Sequence, residues 1–385
     1  MRKVAVLGVG CAKVGEHWGI SLKDLFTQAA LTALNDAGVE KVEALYVGNM
    51  FSGYAQQQEH LGALLADSIG MPGISAAKIE GACGSGGVAV HAGYLAVASG
   101  MYDYVLVGGV EKMTDISTAQ VTTALMMAEN RDYIGFTGIT FVGLNALLHR
   151  LYTKTYGAKP EEIAAFAVND HNNAVNNPYA QYPFPLKIEQ VLESPIVADP
   201  IRLFECCGVG DGAAAIVLCP LDKAKALAKG FVELAASTVA TNVLSLNERD
   251  DLLVFDATRK AANKAYEIAG IKPENVGVLE VHDAFTITGV LALEALGFAK
   301  KGEGAKFASE GNIALGGKIP TNTLGGLKAR GHPIGATGVY QVVEVAKQLR
   351  GDAGKNQING AEVGLTQNVG GVDSTAAVHI LRRCQ

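Results

Sequence analysis

The sequence lacks the features of a nucleic-acid-binding or membrane protein. Only 18% of the 385 residues are charged, and the formal net charge of −6 opposes binding to a phosphate backbone. No apolar run reaches the roughly 18 residues that span a bilayer. The first strand-like segment, residues 4–10, starts too close to the N-terminus to follow a signal peptide. We therefore expect a cytoplasmic protein that binds neither nucleic acid nor membranes.

Cysteine is also scarce, and its spacing argues against a metal site. The six cysteines form no CxxC pair and have no paired histidines. A dinucleotide site is not indicated either, because Lys13 stands where the third glycine of the fingerprint would follow Gly8 and Gly10. No phosphate-binding GxxxxGK[ST] pattern occurs. We expect no metal and no permanently bound cofactor.

Glycine and apolar residues are abundant, and part of the sequence occurs twice. The 46 glycines and the 49% of hydrophobic residues indicate a globular fold with a large core and many tight turns. Three groups of small residues recur in the same order, with offsets of 232, 251 and 262 positions. They are residues 29–38 and 261–270, residues 84–88 and 335–339, and residues 107–110 and 369–372. The order indicates two similar halves.

Strands and helices alternate in each half, which predicts parallel sheets with helical crossovers. An α/β fold of two duplicated halves follows, interrupted by an insertion. We predict residues 1–114 plus 201–225 as the first half, 115–200 as the insertion and 226–385 as the second half. Arg150, Lys154 and Lys159 lie in a stretch of the insertion without acidic residues, which suits an anionic ligand or, equally, a solvated helix face.

Cys83 is the first candidate for chemistry. It lies in a glycine-rich turn between a predicted strand, residues 74–79, and a predicted helix, residues 87–98. The N-terminus of a helix stabilises a thiolate, so we expect a lowered pKa. The glycines allow close approach of a substrate, which favours a nucleophile over the alternative of a buried structural cysteine.

Two histidines complete the candidate site. His332 lies in the glycine-rich segment 331–338, which the repeat matches with the Cys83 turn, so the two loops are expected to meet and to pair a thiol with an imidazole. His282 and Asp283 follow a predicted strand of the second half. Sites in α/β folds form at such strand ends.

Taken in order and spacing, these motifs resemble the thiolase superfamily over the whole chain. The resemblance rests on the Cys83 turn and on residues 108–113, 211–215 and 331–338. It implies a five-layer αβαβα fold, a homodimer or homotetramer, and a CoA-binding role for the inserted loop domain. The segment 282–285, His-Asp-Ala-Phe, is similar to sterol-carrier-protein-type and archaeal thiolases, and the segment 367–371 makes the archaeal resemblance closer.

The resemblance also implies an activity and its residues. An acetyl-CoA C-acetyltransferase would condense two acetyl-CoA molecules by ping-pong chemistry, or run the reverse thiolysis. Cys83 would carry the acetyl group after deprotonation by His332, and His282 with His332 would stabilise the enolate. The backbone N–H groups of Cys83 and Gly370 would hold the oxyanion. A place in the mevalonate pathway is implied, as is a complex with HMG-CoA synthase through a zinc-ribbon/OB-fold protein.

One departure from the family leaves the base for carbanion formation open. Asn368 stands where common thiolases have a second cysteine, and Ala284 where sterol-carrier-type relatives often have one. The candidates are His282, which we favour, Cys207 with its neighbour Cys206, and His332 acting in both steps. Burial is the alternative role for the two cysteines.

Two other functions remain open from the sequence. A decarboxylating condensing enzyme would use the same Cys-His-His set. A non-catalytic scaffold that binds acyl-CoA or a partner would explain the missing second cysteine.

Overall fold

The computed structural model describes residues 1–227 and 230–384. Its strands are β1 (Val4–Cys11), β2 (Ala44–Gly48), β3 (Ser75–Ile79), β4 (Val105–Glu111), β5 (Ile196–Ala198), β6 (Ile201–Arg202), β7 (Gly212–Pro220), β8 (Val232–Thr241), β9 (Val278–Glu280), β10 (Val363–Gly370) and β11 (Thr375–Arg383). Its α-helices are α1 (Leu22–Ala37), α2 (Ser52–Ala55), α3 (Leu61–Ser68), α4 (Ser85–Ala98), α5 (Thr118–Leu125), α6 (Phe141–Tyr156), α7 (Pro160–Ala174), α8 (Ile188–Glu193), α9 (Leu221–Ala226), α10 (Asp256–Ala269), α11 (Thr286–Ala295), α12 (Gly304–Phe307) and α13 (Thr337–Arg350).

Apart from β5 and β6, which pair with each other, the strands form one mixed sheet in the order β3-β2-β4-β7-β1-β8-β11-β10-β9. Among the strands of this sheet, β2 pairs parallel with β3 and β4, and β9 pairs parallel with β10. The prediction of parallel sheets is therefore wrong for the middle of the sheet. There β4, β7, β1, β8, β11 and β10 pair antiparallel. A short turn joins β10 to β11, and a turn of this length reverses the chain and cannot make a parallel crossover.

The sheet consists of two half-sheets that meet at one narrow contact. Strands β1 and β8 pair at only three positions, from Val4 opposite Leu234 to Val6 opposite Val232. Outward from this contact the first half has β1, β7, β4, β2 and β3, and the second has β8, β11, β10 and β9. An isolated parallel bridge between Leu279 and Thr321 stands where the second half would have its fifth strand.

The helices complete five layers. Helix α1 packs on β1 and β7, and α10 packs on β8 and β11, so these helices cover the outer faces of the two half-sheets. Helices α4 and α13 pack against each other and against both half-sheets. Val90 and Val97 of α4 share one buried cluster with Val339 and Val342 of α13. The predicted αβαβα fold of two duplicated halves is confirmed.

Equivalent helix ends show how closely the halves match. Helix α1 stops at Gly38 and α10 at Gly270, both in the left-handed region at φ 65° and 63°. Glycine adopts this conformation without the penalty that a Cβ brings. The offset of 232 between them agrees with the offset between the last residues of β2 and β9.

One of the three repeat matches has the wrong register. Gly109 pairs with Gly48 in the first half, and Thr366 pairs with Glu280 in the second. Since Gly48 and Glu280 are equivalent, Gly109 corresponds to Thr366 and not to Gly371. The predicted match of residues 107–110 with 369–372 is thus five positions too far along.

The chain between β4 and β7 leaves the sheet and covers the second half. Leu144 and Tyr152 of α6 and Phe166 of α7 pack with Ile287 and Leu291 of α11 in one buried cluster. The inserted segment therefore builds one wall over the region where the second half-sheet ends. The boundaries at residues 115 and 200 stay a prediction.

Residues 1–227 and 230–384 contain neither a membrane-spanning helix nor a metal-binding cluster. No helix there is long and apolar enough to cross a membrane. No group of three or more His, Cys, Asp or Glu side chains there is arranged to hold a metal ion.

The close approach of α4 and α13 leads to a stability prediction. A Cβ at Gly338 would overlap the backbone nitrogen of Gly87, so Gly338→Ala must push the two central helices apart. We expect it to lower the free energy of unfolding by about 1–3 kcal/mol. Gly316→Ala is the matched control, because its Cβ would meet nothing within 4 Å. Equal unfolding midpoints for the two variants in urea would contradict this packing.

Candidate active site

Cys83 lies where the sequence predicts it, between β3 and α4. It occupies a short turn, Ala82–Gly84, in which Ala82 has a φ of 52°. Ser85 closes the turn, because its Oγ accepts from Gly81 N at 3.0 Å and donates to Ala82 O at 2.6 Å. A non-glycine residue in the left-handed region costs energy, and the surrounding hydrogen bonds hold it there. The turn thereby presents the thiol of Cys83 at the end of the central helix.

A cavity of about 360 Å³ opens beside this thiol. Cys83, Cys207, His282 and His332 all line it, so the structure brings the predicted nucleophile and both predicted histidines together. The rest of the wall is largely apolar and includes Met113, Val121, Leu125, Phe141, Val142, Phe255 and Phe285. The predicted meeting of the Cys83 and His332 loops is what the duplicated fold produces.

His332 presents a lone pair to the cavity. Its Nδ1 lies 2.7 Å from Thr337 Oγ1, and this hydroxyl donates to Pro333 O at 3.1 Å. A hydroxyl has one hydrogen, so Nδ1 must be the donor to Thr337. Nε2 is then unprotonated, as a base requires. Burial, together with His282 and Arg330, holds the pKa of His332 well below its usual value.

His282 presents the opposite group, an N–H donor. Its Nδ1 accepts from Asn368 Nδ2 at 3.0 Å and from Val369 N at 3.3 Å. The orientation of the Asn368 amide is fixed, because Gly87 N donates to its Oδ1 at 3.0 Å. With Nδ1 accepting, the ring proton is on Nε2. This arrangement argues against our preference for His282 as the base.

The two imidazoles stay neutral. Their rings are edge to face, with centroids 4.9 Å apart and an interplanar angle of 88°. Burial is the main cause that lowers the pKa of His282, to about 3, and the cation of Arg330 adds to it. Arg330 is itself buried and pairs with Glu344 at 3.0 Å. A positive charge behind the histidines therefore disfavours protonation of either ring.

The expected lowering of the Cys83 pKa is wrong. Burial raises the pKa of the thiol to about 12, and nearby Cys207 and Glu111 act in the same direction. Hydrogen bonds from the backbone N–H groups of Cys83 and Gly371 oppose this without reversing it. Cys83 does lie at the N-terminus of a helix, but burying its thiolate costs more free energy than the helix end recovers. The resting thiol is neutral and needs a base.

Gly371 takes the place expected for Gly370. Gly371 lines the cavity, and its N–H interacts with the Cys83 thiol. Gly370 instead packs against the Cys83 turn, where a Cβ would overlap Gly81 O. Both glycines lie in the motif that the sequence indicates, but only the three-dimensional turn, with a φ of 63° at Gly371, shows which N–H faces the thiol.

Cys207 is the remaining thiol close to Cys83. It lines the same cavity, and its backbone N–H donates to Ala284 O at 2.9 Å. Burial raises its pKa to about 12, while Lys328 lowers it and Asp283 raises it. Cys206 also lines the cavity, but its Sγ lies 3.5 Å from Arg202 O. Cys207 therefore remains the cysteine candidate for the second base.

Asn368 has a role that sequence reasoning missed. Besides holding His282 and Gly87, its Nδ2 lies 3.2 Å from Cys83 O. Its equivalent in the first half is Glu111, which accepts from Asn49 Nδ2 at 2.6 Å and from Gly335 N at 3.1 Å. Each side chain thus ties the end of a strand to the loop of the other half. The equivalence becomes visible only with the corrected register.

The three cations predicted for CoA do not line the cavity. Arg150 forms an exposed ion pair with Asp199. Lys154 lies in the last turn of α6, and Lys159 directly precedes α7. The part of α6 that lines the cavity is its first turns, through Phe141, Val142 and Asn145. The structure does not bring these cations to Cys83.

Comparison with known proteins decides the family. The model of the thiolase N-terminal domain matches residues 7–222, which is more than half of the chain. The model of the thiolase C-terminal domain-like family matches residues 238–383. The chain belongs to the thiolase family. The predicted resemblance to this superfamily is confirmed.

The relatives include the two predicted types of thiolase. An acetyl-CoA acetyltransferase of Methanothermobacter thermautotrophicus is 46% identical over 100% of both chains. Sterol carrier protein 2 of Gallus gallus is 32% identical over 96% of this thiolase and 70% of its own length. The structure of an Ltp2-ChsH2(DUF35) aldolase has a TM-score of 0.83 and 24% identity, with 99% of this chain and 98% of that chain covered. At that identity the structural likeness shows the fold.

The donor state of His282 can be tested by changing its partner. In Asn368→Asp a carboxylate would face His282 Nδ1 and accept its hydrogen, so the ring proton should move from Nε2 to Nδ1. Nitrogen-15 NMR of histidine-labelled protein distinguishes the two tautomers. We expect the Nε2–H form in the wild type and the Nδ1–H form in the variant. His332, which is held by Thr337, is the internal control. A wild-type His282 in the Nδ1–H form would refute the assignment.

Proposed function

We propose that this thiolase is an acetyl-CoA C-acetyltransferase, which condenses two acetyl-CoA molecules to acetoacetyl-CoA and CoA and catalyses the reverse thiolysis. The observation that carries the proposal is one cavity lined by a thiol, an imidazole lone pair and an imidazole N–H, on Cys83, His332 and His282. The name of the Methanothermobacter relative supports the choice of substrate.

The first half-reaction acetylates Cys83. His332 Nε2 takes the thiol proton as Sγ attacks the thioester carbonyl, and the same proton leaves with the thiol of CoA. Because the pKa of the buried thiol is raised, proton transfer and attack must be closely coupled. The N–H groups of Cys83 and Gly371 face the thiol and stabilise the oxyanion, with Gly371 in the place first assigned to Gly370.

The second half-reaction forms the carbon–carbon bond. The thioester oxygen of the second acetyl-CoA accepts from His282 Nε2–H, which stabilises the enolate as an α-proton leaves. The carbanion then attacks the acetyl carbonyl and releases Cys83. Cys207 is our candidate for the base, since His282 is a donor and Cys206 Sγ faces Arg202 O. Cys207 first loses its own thiol proton to water, its thiolate takes the α-proton, and the thiol so formed returns that proton to the thiolate released from Cys83.

Substrate binding and assembly complete the proposal. Acyl-CoAs are the substrates, no permanent cofactor is needed, and residues 115–200 form the CoA-binding domain, with Arg150, Lys154 and Lys159 as its candidate CoA-binding cations. We propose a cytoplasmic homodimer or homotetramer that serves the mevalonate pathway. A complex with HMG-CoA synthase through a zinc-ribbon/OB-fold protein is part of the same proposal. The aldolase structure is named for two components, Ltp2 and ChsH2(DUF35), which supports assembly with a second protein.

Thiolysis is the direct test of the proposed activity. The purified protein should convert acetoacetyl-CoA and CoA to acetyl-CoA, measured by chromatography of the CoA esters. Cys83→Ala should lose this activity and keep the unfolding midpoint of the wild type. If the protein instead consumes malonyl-CoA and releases carbon dioxide without cleaving acetoacetyl-CoA, it is a decarboxylating condensing enzyme. Binding of acetyl-CoA with no turnover of any of these esters would make it a scaffold.

A further inference from the structure

Lys328 is a buried cation beside the cavity that the mechanism above does not use. Only 4% of the residue is exposed. It lies in the turn Gly326–Arg330, which Asp283 holds by accepting from Leu327 N at 2.8 Å and Lys328 N at 3.1 Å. Its Nζ lies 5.9 Å from the ring centroid of Phe204.

The same strand end also holds Cys207. Ala284, which follows Asp283, accepts from Cys207 N at 2.9 Å. Phe285, the next residue, forms a β-bridge with Cys206. Three consecutive residues therefore fix the Lys328 turn and the cysteine pair against each other. The ammonium group lies over Phe204, on the segment that leads directly into these cysteines.

Lys328 and the Cys207 thiol act on each other's pKa. Burial lowers the pKa of Lys328, and Cys207 is the first of the groups that oppose this lowering. In return, Lys328 is the main group that lowers the pKa of Cys207 against burial. The titratable groups that act on this lysine and this thiol, or respond to them, are Cys83, Asp170, His171, Tyr182, Cys206 and Asp283.

Asp170 and Asp283 both act on Lys328, but Asp170 is not charged. The pKa of Asp170 is raised well above its usual value by burial and by Asp283, so Asp170 keeps its proton and donates it to Asp283. Asp283 also accepts from the backbone N–H groups of Leu327 and Lys328. Lys328 still lowers the pKa of both Cys206 and Cys207.

We propose that Lys328 is a positioning residue whose ammonium group stabilises the thiolate form of Cys207, which is the form that takes the α-proton. The proposal rests on the acid–base role given above to Cys207. Lys328 keeps its own proton throughout. Cys207 loses its thiol proton to water, and its thiolate then takes the α-proton from carbon. The lysine acts through its charge on a group that touches the substrate.

Alkylation of Cys207 tests this without any turnover. In Cys83→Ala protein, the rate of reaction of Cys207 with iodoacetamide is measured against pH, and fragment mass spectrometry separates Cys207 from Cys206. Adding Lys328→Met removes the positive charge, which destabilises the thiolate. At each pH below the midpoint the rate should therefore fall about tenfold or more, because a smaller fraction of Cys207 is thiolate. Lys328→Arg should keep the rate.

The controls separate charge from structure. Lys328→Gln repeats the neutralisation with a polar side chain if the methionine variant unfolds, and Lys318→Met removes an exposed lysine elsewhere. An unchanged rate of Cys207 alkylation in the neutral Lys328 variants would overturn the proposal, as would an equal fall in Lys318→Met. If wild-type protein fails to cleave acetoacetyl-CoA, the proposed function fails, and the alkylation profiles still decide whether Lys328 acts on Cys207.

Discussion

The hydrogen bonds of Asn368 connect the parts of the site that come from different halves of the chain. One amide contacts the carbonyl of Cys83 and the amide of Gly87 in the first half, and Nδ1 of His282 in the second. Glu111 makes the equivalent connection from the other half. These contacts form only if α4 and α13 approach as closely as their glycines allow. The central layer of the fold thus sets the geometry of the site.

Burial then decides the protonation of the site. Cys83, His282 and His332 are all neutral in the resting protein because the cavity is apolar and the cation of Arg330 lies behind the histidines. Two neutral imidazoles with opposite tautomers supply an acceptor for one half-reaction and a donor for the other. A charged resting pair would require solvation that this cavity does not offer.

The sequence predicts two duplicated α/β halves and the meeting of Cys83 with His332, because repeats and glycine-rich loops are visible as local patterns. The five layers are implied only by the resemblance to thiolases. It misplaces the repeat of residues 107–110, since Val-Gly-Gly-Val is a weak marker in a chain with 46 glycines. The pKa of Cys83 could not be predicted either. A helix end is visible in the sequence, whereas the burial that outweighs it depends on the whole fold. The tautomer of His282 needs the contact with Asn368, which lies 86 residues away.

The central claim is that the two halves assemble one acyl-accepting thiol at Cys83. Mass spectrometry of protein mixed with acetyl-CoA and quenched in acid tests it most directly. The account predicts one acetyl group per chain, on the peptide that contains Cys83, in the wild type and in Cys207→Ala alike. An acetyl group on Cys207, or none on any cysteine of the wild type, would contradict it.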